Sequence, residues 1–481
     1  MKILVLQLAR LGDIYMSWPA LRALKRTYPQ AEIHVMTRSR FESAFDGLSV
    51  VDRRWTLPTS SLLEPLVRDQ VDLNESFNRM DGFVNELRAE KFDWIANLTF
   101  SPFSSYLTHS LSTETTKVSG YTRHQDGYLS LSDEVSTYFY AQVGTDGANR
   151  VHLADVFASL LNLEYVEEDW IGPNAITEKM TLPVPFITCH IGASEEHKSL
   201  TPAQWGKTIR QLNQRHPNMN IVLIGSEAEK SRVAEIRQQA PLAPVTDLVG
   251  KTQMYELFEV LQKTELLIGG DSAPMHMASL TDTPSLNVSV GHVNFWETGP
   301  KATLSFVYRQ ELANQVHGER LGEIVSQLLE GQVPSELAVR TGGLTSYQVT
   351  ESNSSRFAWD LVQAIYMGGA YPVAERMETV QAAMKLTEIN NFALEQLALV
   401  PQKGPEAIAP FLDRAEEIIK TISRFAPELA PLINWYHAEK IRIAPGNQEE
   451  VLSATMNVHQ ALRKHLNVYT PQEETAEGEV G

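Results

Sequence analysis

The chain reads as an α/β protein of two similar halves, each a parallel sheet covered by helices, facing each other across a cleft and followed by an all-helical appendix. Three observations predict this. Runs of β-formers alternate with helical stripes over roughly the first two thirds of the chain. A proline-rich segment, Leu182-Pro183-Val184-Pro185, divides that stretch in two, because proline fixes φ and cannot feed a central ladder. Strand-like runs then stop near Thr345, where helical periodicity takes over.

The first element is a strand over Ile3 to Leu8, followed by a loop and a helix that Ser17 is expected to cap, with Pro19 in its first turn. Leu21, Leu24 and Tyr28 continue the apolar stripe to Tyr28-Pro29, and Ala31 to Thr37 is the next strand, completing a βαβ unit. Trp94 to Leu98 and Lys117 to Tyr121 extend the sheet, so residues 1–175 form the first domain. In the second domain, 183–335, strands are expected at Phe186 to Ile191, Ile221 to Gly225, Val245 to Val249, Leu266 to Gly269 and Ser285 to Val290. Between them fall helices at Pro202 to His216 after a Thr201 cap, Glu227 to Gln239, Met254 to Lys263, and one opening near Asp271. The appendix, 345–470, carries Ile408, Phe411, Leu412, Ala415, Ile419, Ile422 and Phe425 at helical spacing and leads into an acidic tail, 471–481, expected to be disordered.

Composition narrows the function. With 41 basic against 59 acidic residues the formal charge is −18, which argues against broad nucleic-acid binding. The one cysteine, Cys189, excludes a disulfide framework and a cysteine metal cluster. No apolar run is long enough to cross a bilayer, and MKILVLQLARLGD turns polar too soon for a signal peptide, so a cytoplasmic location is expected.

Three places could carry chemistry. Leu11-Gly12-Asp13 follows the first strand: Gly12 permits close backbone approach, and Asp13 is either a general base or an ordinary acid at a helix start. Arg10 beside it suits an anionic acceptor group or is simply solvated. His190-Ile191-Gly192-Ala193-Ser194 ends a strand in small residues suited to a phosphate, and Lys198 just beyond can neutralise charge; His190 and His197 lack a metal-ligand spacing. Gly269-Gly270-Asp271-Ser272-Ala273-Pro274-Met275-His276 passes from strand to helix, with Asp271 or Ser272 as cap and first-turn N–H groups directed at a diphosphate. His276 is a phosphate donor or a core histidine. No P-loop and no Gly-x-Gly-x-x-Gly follows the first strand.

At these same places the sequence resembles the heptosyltransferases of glycosyltransferase family nine. The resemblance rests on RLGDIYMSWPALRALKRTYPQAEIHVM, on CHIGASEEHKSLTPAQW and on DLVGKTQMYELFEVLQKTELLIGGDSAPMHMASLTDTPSLNV, across about the first 330 residues. It implies a GT-B fold of two Rossmann-like domains, and inverting, metal-independent transfer of heptose from ADP-heptose to lipopolysaccharide core, with no cofactor beyond the nucleotide-sugar. Carried onto this chain, Asp13 matches the catalytic base and Lys198 the lysine that neutralises the diphosphate. Gly192, Ala193, Ser194, Glu227, Thr252, Asp271, Ser272, Ala273 and His276 fall on the donor side, and Arg10, Gly12 and Arg123 on the acceptor side. Ala273 and Pro274 depart from the family, which commonly has glycine and then a variable residue, so this turn offers one fewer flexible amide. A glycolipid acceptor implies peripheral contact with the inner membrane face, which the local excess of Arg and Lys in the first 54 residues suits. Another nucleotide-sugar, a protein acceptor, an epimerase on the same scaffold and a non-catalytic binding module are the alternatives.

Overall fold

The computed structural model describes residues 1–144, 148–174, 176, 180–192, 195–343, 345–349 and 353–469. The expected tail, 471–481, lies outside the described residues. The chain divides into two units, one of Met1–Ser119 with Arg150–Thr350 and one of Gly120–Asn149 with Glu351–Gly481.

The first unit contains both Rossmann-like sheets. In one, β1 (Lys2–Leu6), β2 (Glu32–Arg38), β3 (Arg53–Leu57) and β4 (Trp94–Asn97) stand in the order β3-β2-β1-β4, all parallel. Ile3, Leu4, Val5 and Leu6 are all buried, as an unbroken apolar run in a sheet covered on both faces requires. β5 (Lys117–Arg123) begins in this unit and leads into the second, where it pairs antiparallel with β6 (Leu129–Leu131).

The other sheet comprises β7 (Phe186–His190), β8 (Asn220–Ile224), β9 (Val245–Asp247), β10 (Leu267–Gly269), β11 (Ser285–Val290), β12 (Ser305–Gln310), β13 (Ala338–Arg340) and β14 (Tyr347–Gln348). Their order is β14-β13-β12-β11-β10-β7-β8-β9, parallel from β12 to β9, with β13 and β14 antiparallel at the edge. Ile187, Leu223, Ile268 and Leu286 pack with Trp205, Ile209, Leu321 and Ile324 of the covering helices into one core.

Five helices of this unit matter for the site: α1 (Leu11–Thr27), α2 (Thr59–Val67), α3 (Leu73–Ala89), α4 (Met254–Lys263) and α5 (Ala273–Leu280). α1 starts six residues before the expected Ser17 cap. Arg10 is its N-cap residue, and Asp13, third in the helix, accepts the Arg10 N–H at 2.8 Å, half of a capping box. Ser17 is instead buried in the interior, donating to the Ile14 carbonyl at 2.7 Å, and Pro19 sits mid-helix. Burial of Ile14, Trp18 and Leu21 offsets the cost of that proline, about 3 kcal/mol for an interior position. Trp18 stacks on Phe258 of α4 with centroids 5.6 Å apart, and Tyr15 meets the same ring edge-on at 5.8 Å. The two sheets are thereby joined below the ends of their strands.

The second unit is mainly helical: Glu134–Gln142, Asn353–Tyr366, Met377–Ala398, Pro405–Phe425, Ala430–Ile441 and Gln448–Leu466. Leu361, Leu386, Ile419, Leu432, Tyr436 and Leu466 form its core. Ile408, Ala415, Ile419 and Ile422 of the predicted stripe are buried, whereas Phe411 and Phe425 stand 48% and 77% exposed. Residues 120–149, which the sequence places in the first α/β domain, belong here: Gln142 Nε2 donates to the Pro431 carbonyl at 3.0 Å, and the Tyr138 ring meets Tyr366 edge-on at 5.0 Å. Among the described residues no helix is long and apolar enough to cross a membrane.

Candidate active site

A cavity of about 830 Å³ opens where the C-terminal ends of β1, β7, β8 and β10 converge, the position at which parallel α/β sheets bind ligands. It lies wholly within the first unit. Arg10, Gly12 and Asp13 line it from the first sheet, and Gly192, Glu227, Thr252, Asp271, Ser272, Ala273 and His276 from the second.

Asp13 shows how its two sequence readings combine. One carboxylate oxygen, Oδ2, accepts the Arg10 N–H and so starts α1, while the side chain also faces the cavity. Burial raises its pKa above the ordinary 3.8, and the N–H and charge of Arg10 only partly offset this. A carboxylate so placed is a stronger base than one in water.

Gly12 is glycine because of a close approach. A Cβ there would lie 2.7 Å from Cδ2 and 3.0 Å from Nε2 of His276, whose buried ring reaches across from α5. Burial holds both His276 and His190 neutral, with pKa values lowered to about 4.

The strand-to-helix turn of β10 and α5 is open toward the cavity. Ser272 is the N-cap residue, but its hydroxyl bonds the Gly270 carbonyl and His190 Nδ1, each at 3.0 Å, and makes no capping bond to α5. First-turn amides therefore stay available to an anion, although Pro274 contributes none. Burial pushes Asp271 up to about 6, with the Asp13 charge adding to the rise; the Thr298 hydroxyl, Lys198 and Arg10 pull the other way. Its Oδ1 is buried with no hydrogen-bond partner in the chain.

Lys198 reaches the cavity at second hand. Its Nζ pairs with Oε1 of Glu195, a cavity residue, at 2.9 Å. Glu227 faces the cavity close to Gly250, which has φ +67°, and its carboxylate pairs with Lys230 at 2.7 Å. Ala193 and Ser194 lie outside the described residues, and Arg123 belongs to the second unit. Cys189 is a buried core residue whose thiol burial pushes up to about 12. Among the described residues no three His, Cys, Asp or Glu side chains are grouped to hold a metal ion.

The profile of glycosyltransferase family 9 (heptosyltransferase) matches residues 81–304, a stretch that includes β7 through β11 and the turn at Asp271. That match spans 224 of the 481 residues. The chain is similar to lipopolysaccharide heptosyltransferase 3 of Escherichia coli, at 22% identity over 306 residues, 61% of this chain and 85% of the relative. In fold it is similar to the glycosyl transferase family 9 protein of Veillonella parvula DSM 2008, with a TM-score of 0.51 and 17% identity over 69% of this chain and 98% of that one. It also resembles Escherichia coli heptosyltransferase WaaC solved with ADP, with a TM-score of 0.50 and 15% identity over 69% and 99%. The two-sheet GT-B fold of these solved structures is thus the fold of this chain's first unit.

Several cavity residues escape the sequence reading. Arg40 and Phe41 follow β2, the guanidinium lying 4.4 Å from the ring centroid; their place after a parallel strand is the signal that could have found them. Glu229, bonded to the Ser226 N–H at 2.6 Å, fills the space beside Gly192, where a Cβ would come within 2.9 Å of its carboxyl carbon. Glu195, three residues before Lys198, also lines the cavity.

Proposed function

We propose that the protein is an inverting glycosyltransferase that moves a heptose from ADP-heptose to a hydroxyl of a lipopolysaccharide core or another surface glycan. One observation carries this reading: Asp13 on the first sheet and the uncapped start of α5 on the second face the same cavity. In the reaction the acceptor oxygen attacks the anomeric carbon, Asp13 takes the hydroxyl proton, and the bond from that carbon to the β-phosphate oxygen breaks. ADP is the leaving group. Its growing charge is met by Lys198 and the α5 amides that follow Ser272, preorganised donors commonly worth about 3–4 kcal/mol each. Gly192, Thr252 and Glu227 border the donor, and Arg10 and the backbone at Gly12 serve the acceptor.

We further propose that it works at the inner face of the inner membrane by peripheral contact. The α2–α3 hairpin supports this with Leu63, Val67, Val71, Leu73 and Phe77 all exposed, an apolar patch that could enter a lipid surface.

Calorimetric titration of ADP, UDP and GDP, and of the corresponding sugars, into wild type and Asp13→Ala tests the reading, with mass spectrometry of the products. Selective ADP-heptose binding kept in the variant, with transfer lost, is the expected result. Preference for another nucleotide-sugar discards heptose, and unaltered transfer by Asp13→Ala overturns the role of Asp13.

A further inference from the structure

Glu195 stands at the junction of the cavity's cations. Lys198 Nζ, from the second sheet, lies 2.9 Å from its Oε1, and Arg10 Nη2, from the β1–α1 turn of the first sheet, lies 3.8 Å from the same oxygen. His197 Nε2 is 3.5 Å from the other oxygen. One carboxylate thus takes up positive groups contributed by both halves of the cleft. The other acids that line the cavity are engaged differently: Glu227 pairs with Lys230, Glu229 accepts from Ser226, Asp13 accepts from the Arg10 backbone, and Asp271 keeps its Oδ1 buried without a hydrogen-bond partner.

We propose that Glu195 is a placeholder anion, holding Lys198 and Arg10 across the empty cleft until the diphosphate of the donor displaces it. This rests on the nucleotide-sugar reading above. A diphosphate bound at Lys198 must break the Glu195 pair and also put negative charge beside the freed carboxylate, so Glu195 lowers the affinity of the site for its own ligand. The pairs are partly exposed, with Glu195 and Lys198 side chains at 37% and 24%, so each contributes modestly and the exchange is reversible. The device favours release of the product diphosphate and joins the two halves when no nucleotide is present.

The test is titration calorimetry of ADP and of adenosine into the full-length protein and its Glu195→Gln variant, repeated at low and high salt. Glu195→Gln is expected to bind ADP about five- to tenfold more tightly, with the gain shrinking in salt and the affinity for adenosine unchanged. A structural role alone would move both ligands together. Equal or weaker ADP binding by the variant, with wild type binding normally, overturns the placeholder and leaves the donor reading standing. Absence of ADP binding in both proteins overturns the two together.

Discussion

The imidazole of His276 rests against the α-carbon of Gly12, so that one methyl group added there would approach its Cδ2 to 2.7 Å. This contact brings the start of α1, which carries Asp13, against α5 and the Asp271–Ser272 turn before it. Gly12→Ala is therefore expected to lower turnover at least tenfold and stability by about 1–2 kcal/mol, the range for overpacking a tight site. Gly12→Ala combined with His276→Ala should recover part of the stability, which a double-mutant cycle by denaturant unfolding would read. Additive losses would refute the contact.

Transfer should gain with rising pH. Asp13 must be ionised to accept the proton, and its pKa is raised by burial, so the rate is expected to climb as pH passes above the ordinary carboxylate range and then level off. Asp13→Asn should lose transfer by a factor of about 10³ or more while ADP affinity stays within about threefold. A rate that is flat from pH 4 to 8 in the wild type argues against Asp13 as base.

Asp271 is costly to the fold. Because its pKa is raised from 3.8 to about 6, the folded chain favours the protonated form; that contribution is complete below pH 3.8 and is lost as pH rises through 6. Asp271→Asn should accordingly stabilise the protein by up to about 3 kcal/mol at pH 8 and by little at pH 4, as thermal unfolding across pH would show.

Acid acts on the helical unit with the opposite sign. His459 is buried, its Nδ1 bonded to Asn390 Oδ1 at 2.8 Å and its Nε2 to the Tyr436 hydroxyl at 3.2 Å, and its pKa is lowered to about 4 by burial and by Lys440. Stability from the neutral ring is present above pH 6.5 and is lost as pH falls through 4, by up to about 3 kcal/mol. His459→Gln should flatten that decline, measured by urea unfolding between pH 7 and 4.5.

Leu63→Glu with Phe77→Glu should reduce sedimentation with anionic phospholipid vesicles several-fold and leave ADP affinity unchanged, since neither residue lines the cavity. Equal sedimentation of the variant would remove the hairpin from the membrane proposal.

Much of the fold was legible because it is local. The strand at Ser285–Val290 and the helix at Met254–Lys263 match their sequence reading residue for residue, bounded by turn residues and carried by apolar patterns of the right period. The start of α1 was misplaced because Ser17-Trp18-Pro19 imitates a cap, whereas the true start depends on an acid three residues after Arg10. β3 and β12 went unread: Arg53 and Arg54 open the one, and the other is apolar only over Phe306–Tyr308. In the site, Asp13, Asp271 and His276 could be picked out because each lies in a short motif at a strand end. The ring of His276 on Gly12 and the meeting of Arg10 and Lys198 at Glu195 arise between segments far apart in sequence, where periodicity carries no signal.

The assignment of Gly120–Asn149 to the helical unit has a consequence for biosynthesis. These residues leave the ribosome before the whole of Arg150–Thr350, and the helices they pack with come last. At about 5–20 residues per second, Tyr138 and Gln142 wait on the order of 10–60 s for Tyr366 and Pro431. During that interval the nascent chain holds an unfinished part of one unit while the other is completed, and a chain truncated near residue 350 would have the whole of its first unit and lack the greater part of its second.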